Sequence, residues 1–70
     1  MTPAEFRAAL EAIGWPQREL ARRLGCSTTL PTRWAAGDAA VPPAVATWLT
    51  ALQRAHARLP APQDWRQRAA

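Results

Sequence analysis

Gln17-Arg18-Glu19-Leu20-Ala21-Arg22-Arg23-Leu24-Gly25-Cys26-Ser27 is the stretch on which the fold turns. Leu20, Ala21 and Leu24 recur at i, i+1 and i+4, the apolar stripe of a short helix over about 17 to 24, with Arg18, Glu19, Arg22 and Arg23 on its polar side. Gly25 suits the left-handed residue that ends such a helix, and Ser27 is a good N-cap for the next. Two short helices joined by a tight glycine turn are therefore expected at the centre of the chain. Ala21 is small where they would cross, and Leu20, Leu24, Cys26 and Trp34 are expected to seal the back.

Upstream, Thr2, Pro3 and Glu5 fit an N-cap, a proline at the first helical position and an acceptor reaching back to the cap. Phe6, Ala9, Leu10 and Ile13 then keep helical spacing, so helix one runs over about 3 to 13. Gly14 ends it, and Trp15-Pro16 forces an extended step. Downstream, helix three covers about 28 to 36, turning Leu30, Pro31 and Trp34 inward before Gly37 and Asp38 end it. Pro43 opens helix four, about 43 to 58, with an apolar stripe of Val45, Trp48, Leu49, Leu52 and Leu59. Pro60 and Pro62 stop that helix and leave a tail in which Trp65 stands between Asp64 and Arg66, with Arg68 beyond. No strand pattern occurs. The organisation is one all-α domain over 1–59 and a proline-containing tail over 60–70.

Seventy residues make one domain, with roughly 60% of the unfolded chain's surface buried on folding. Hydrophobic residues are 49% of the chain, yet no apolar run approaches the roughly 20 residues of a membrane span. The N-terminus lacks the basic and apolar regions of a secretory signal, so a soluble cytoplasmic protein is expected. Cys26 and His56, the one cysteine and one histidine, cannot assemble a four-ligand zinc site or an internal disulfide, so neither metal nor cofactor is expected. Cys26 reads as a small buried apolar residue rather than a redox sensor, and His56 as an edge histidine. Glu5 and Glu11 point to different faces of helix one, and no nucleophile stands in a triad, so no enzyme is expected. All nine basic residues are arginine against five acids, giving a net charge of +4. Such a balance favours a polyanionic partner, nucleic acid first, unless it merely reflects the coding bias of the genome. Trp15, Trp34 and Trp48 fall at core positions. Trp65 must either fold back over the helices or meet another subunit.

Two short helices around a glycine turn, the second opening on small polar residues, can set one helix in the DNA major groove. The stretch from Gln17 to Ser27, followed by Arg33-Trp34-Ala35-Ala36-Gly37 and Val41-Pro42, resembles the Cro and phage-repressor (XRE-type) helix-turn-helix family over residues 3 to about 55. The resemblance implies a compact lambda-repressor-like bundle of four or five helices without enzyme activity. It implies a transcriptional regulator, phage or bacterial and of repressor type, that binds a palindromic double-stranded DNA operator as a homodimer. By the same resemblance Gln17 grips a phosphate, Thr28, Thr29, Thr32 and Arg33 face the groove, and Ser27 both caps helix three and touches DNA.

The residue types suit those tasks on their own chemistry. Arg33 can fork onto guanine, and threonine can bond either base type or set its methyl against thymine. Arg18, Arg22 and Arg23 either contact flanking phosphates or form a solvated polar face, with Glu19 at the spacing to pair with Arg22 or Arg23. Pro31 departs from the family, which carries a β-branched apolar residue there. With Ser27 as the cap, Pro31 forfeits the first helical bond, so a loosened start and a reading helix beginning near Pro31 are expected. That departure favours the alternative function, a protein-interaction or antitoxin-like bundle without groove reading. Helix four and the tail, with Trp48, Leu52, Leu59 and Trp65, are the expected dimer surface.

Overall fold

A computed structural model describes residues 1–66; Arg68, the second arginine of the tail, lies outside the described residues. Their order is α1 (Pro3–Ile13), α2 (Gln17–Leu24), α3 (Thr29–Ala36) and α4 (Pro43–Ala57), with no strand among them. The class is all-α. No helix among the described residues is long and apolar enough to cross a membrane.

Local chemistry sets the boundaries. The Thr2 hydroxyl accepts from the Glu5 amide at 3.0 Å, and the Thr2 amide donates to Glu5 Oε1 at 2.8 Å, a closed capping box ahead of Pro3. At the far end of α2, Gly25 takes φ +70°, the Gly25 amide donates to Arg22 O and the Cys26 amide donates to Ala21 O. These two bonds satisfy carbonyls that the helix end would leave orphaned, and the αL conformation they require is one that a β-carbon disfavours. The same paired bonds follow α1 at Gly14 and Trp15, and α3 at Gly37 and Asp38.

Packing runs α1 against α3 and α4, and α2 against α3. Phe6, Leu20, Leu49 and Pro31 are the largest fully buried side chains. Phe6 meets Trp34 edge to face, centroids 5.8 Å apart, which fixes the angle between α1 and α3. Arg7 on α1 adds a hydrogen bond from its guanidinium to the Ala35 carbonyl near the end of α3. Trp15 and Trp48 sit half-buried against each other, centroids 5.6 Å apart, at the margin of the core rather than within it.

Several expectations change. Pro31, Trp34 and Ala35 share the buried face of α3, which turns Leu30, about 100° away on the helix, out to 42% exposure. Cys26 is half-buried, held at the surface by its bond to Ala21 O. Leu59 lies beyond the end of α4 and is 78% exposed. Helix three starts at Thr29, one residue later than expected, with Thr28 in the cap position and the Ser27 hydroxyl accepting from the Thr29 amide at 3.2 Å.

Pro31 does not loosen the start of α3. It is the third helical residue, where an amide has no partner within the helix, and the Thr32 amide makes the first full turn to Thr28 O at 3.1 Å. The Ser27 carbonyl is taken by the Leu30 amide instead. Since the ring restricts the unfolded chain and fills the core, Pro31→Val is expected to lower stability by about 0.4 to 1 kcal/mol in urea titration. A gain in stability would mean that the proline strains the helix.

Candidate nucleic-acid interface

Gln17 is the first residue of α2 and lies half-buried where that helix meets α3. The Thr32 hydroxyl stands 2.9 Å from Gln17 Oε1 and 2.8 Å from the Thr28 carbonyl oxygen. One proton serves one acceptor at a time, so when it goes to Thr28 the Gln17 amide, rotated to present its NH2, donates to Thr32 instead. Either way the start of α2 is latched to the first turns of α3 through Gln17, Thr28 and Thr32. Ser27 and Thr29 form a second polar pair, hydroxyls 3.1 Å apart.

With Pro31, Trp34 and Ala35 buried, the opposite face of α3 carries Thr29, Arg33 and Ala36, flanked by Thr32 and Leu30, all exposed. No carboxylate pairs with Arg33 or with Arg18 among the described residues. Both guanidinium groups keep their donors for an outside acceptor. The face has two threonines, one fork of donors, one methyl and one leucine, a set able to meet base edges through hydrogen bonds and apolar contact. Leu30 is the member that sequence reading missed. The i, i+3 and i+4 spacing of Pro31, Trp34 and Ala35 was the available signal for its outward position.

Helix two presents a different charge pattern. Glu19 accepts from Arg22 Nε at 3.0 Å and Nη2 at 2.6 Å, and from Arg23 Nε at 2.8 Å. Arg23 also lies over the Trp15 ring, 4.3 Å from its centroid. Three arginines and one carboxylate leave α2 less positive than its arginines alone imply. The structure therefore joins Gln17, Thr28 and Thr32 in one network and Ser27 with Thr29 in another, keeps Arg33 on the same face, and ties Arg22 to Glu19. Arg18 stands exposed on α2 without a contact to either network.

The Arg22 hydrogen bonds are the main reason that the Glu19 carboxyl is lowered from 4.5 to about 2, and Glu19 in turn raises the Arg22 guanidinium. Glu5 is lowered too, first by the Thr2 amide and then by the Thr2 hydroxyl. A carboxyl with a depressed folded value stabilises above its unfolded value and loses that contribution as pH falls through the folded one. Melting temperature is thus expected to hold down to about pH 4.5 and to fall from there toward 2, with a shallower fall in Glu19→Gln. A fall of equal depth in Glu19→Gln would remove this pair from the explanation.

Among the described residues no three of His, Cys, Asp and Glu come together as a metal site would require. Comparison of the chain with family models, curated proteins and solved structures finds no match.

Proposed function

We propose that this chain is a sequence-specific DNA-binding transcriptional regulator of repressor type, acting in the cytoplasm. In this reading α2, the Gly25 turn and α3 form a helix-turn-helix in a lambda-repressor-like four-helix bundle, and the outward face of α3 lies in the major groove. The supporting observation is that face itself: Thr29, Arg33 and Ala36, with Thr32 and Leu30 beside them, stand exposed on one helix with no acidic residue among them. A helix of this width fits the groove, with Thr29 at its N-terminus and the long Arg33 side chain one turn further on, on the same face.

Gln17, held by Thr32, is placed to send an amide N–H to a phosphate beside the groove and so fix the depth of α3. Arg18 and Arg22 add phosphate contacts on the outer face of α2, Arg22 by leaving or sharing Glu19. Two copies on a palindromic operator would set their α3 helices one DNA turn apart, about 34 Å. Pro31 gives no support to the protein-interaction alternative, because it fills the core without breaking a helical bond.

The reading is tested by fluorescence anisotropy on a duplex recovered from a randomised pool, against random duplex of equal length, at near-physiological salt. Specific binding at least about a thousandfold tighter than random is expected; equal binding to both would leave a charge-driven contact only. Glu19→Gln is expected to strengthen binding to random duplex by freeing Arg22 and Arg23. The slope of log affinity against log salt should then steepen by about 0.9 for each further phosphate engaged. An unchanged slope would show that these arginines do not reach the backbone.

A further inference from the structure

Two apolar features at the C-terminal end of α4 lack a partner among the described residues. One is a cavity of about 240 Å³ lined by Ile13, Trp15, Leu52, Ala55, His56 and Leu59. The other is Trp65, 64% exposed, whose stacking partner among the described residues is its own neighbour Arg66, 4.8 Å from the ring centroid. Residues 56 to 66 are all exposed. The radius of gyration is 15.1 Å, against about 11 Å for a compact chain of this length, with residues 60–66 running on past the end of α4. Of the two fates open to Trp65 in the sequence, folding back over the core is not the one adopted.

We propose that Trp65 of one copy fills this cavity in a second copy, which returns the same contact, so that two chains join by exchanging tails. The cavity has room for one indole, and its lining is aliphatic and aromatic. Leu59 is on its rim, while Pro60 and Pro62 stiffen the segment that follows, so Trp65 is carried up to about 20 Å from its own cavity and toward any molecule facing it. Cavity and tail lie at the same end of one chain, so a single two-fold axis satisfies both and assembly closes at two.

This contact rests on the pairing of copies in the proposed function, and its test uses the full chain without DNA, so the groove reading stands or falls separately. Sedimentation equilibrium is expected to show mass rising with concentration from 7.7 kDa toward twice that value. The affinity is expected to be weak, since two exchanged tryptophans of about 150 to 250 Å² each fall short of the roughly 1,200 Å² of a stable interface. Trp65→Ala and Ala55→Arg should each weaken association by at least about tenfold. An equimolar mixture of the two variants should associate more tightly than either alone, because the Ala55→Arg chain still offers Trp65 and the Trp65→Ala chain still offers an open cavity. Trp65→Ala leaves the four helices untouched and decides the matter if Ala55→Arg fails to fold. A wild-type chain that stays at 7.7 kDa overturns both the contact and the pairing. A wild-type dimer that neither variant weakens overturns the contact alone.

Discussion

Phe6→Ala is expected to remove about 3 to 5 kcal/mol of stability, the usual cost of emptying a buried aromatic site. At about 0.05 to 0.15 kcal/mol per residue, a chain of 70 residues holds only about 3.5 to 10 kcal/mol in all. The variant should therefore be largely unfolded or close to it. Phe6 has no exposed surface, and its ring meets Trp34 at an interplanar angle of 87°. It stands where α1 packs against α3, so its loss would free the face that carries Arg33 as well as opening a void. In a domain of this size each kcal/mol moves the melting midpoint by about 4 to 8 °C. Circular dichroism melts give the answer directly, and a drop of only a few degrees would show that the core closes without this ring.

Arg33→Ala carries the second large effect, on recognition rather than folding. Arg33 is exposed on the last turn of α3 and has no acidic partner among the described residues, so its removal leaves no buried group stranded. A guanidinium forked on a guanine is worth about 1 to 3 kcal/mol of discrimination, or about 5- to 150-fold in affinity for the selected duplex. Random duplex should lose only the contribution of one charge. Arg33→Lys keeps the charge and loses the fork, and is expected to resemble alanine on the selected duplex and wild type on the random one. Equal losses on the two duplexes would assign Arg33 to phosphate.

Much of the fold was legible because its signals are local. Thr2, Pro3 and Glu5 sit within one turn of each other, and the glycine turns that end α1, α2 and α3 close through amide bonds to carbonyls three and five residues back. Caps of that kind need no knowledge of the rest of the chain. Burial is different. Periodicity turns Leu30 and Leu59 inward, but which side of a helix is covered depends on the phase set by its neighbours and on where the helix stops. Pro31 was misread because its cost depends on its distance from the helix start, and a shift of one residue at Thr29 removes that cost.

The candidate site divides in the same way. The family resemblance points to the threonines and Arg33, whose residue types suit groove contacts, and the pairing of Glu19 with Arg22 or Arg23 follows from spacing along one helix. That both arginines share Glu19, and that Arg23 turns onto Trp15, depends on side-chain rotamers and on packing between elements. The bond between Thr32 and Gln17 spans 15 residues and two helices, and exists only because α2 and α3 meet where they do. No periodicity encodes it.

Entry of the outward face of α3 into the groove is checked by following the backbone amide resonances of the full chain while a selected duplex is added at near-physiological salt. The largest shifts are expected on Gln17, Ser27 to Leu30, Thr32, Arg33 and Ala36, with Val45 to Leu52 of α4 little changed. Shifts centred on α4, or no binding to any selected duplex, would contradict it.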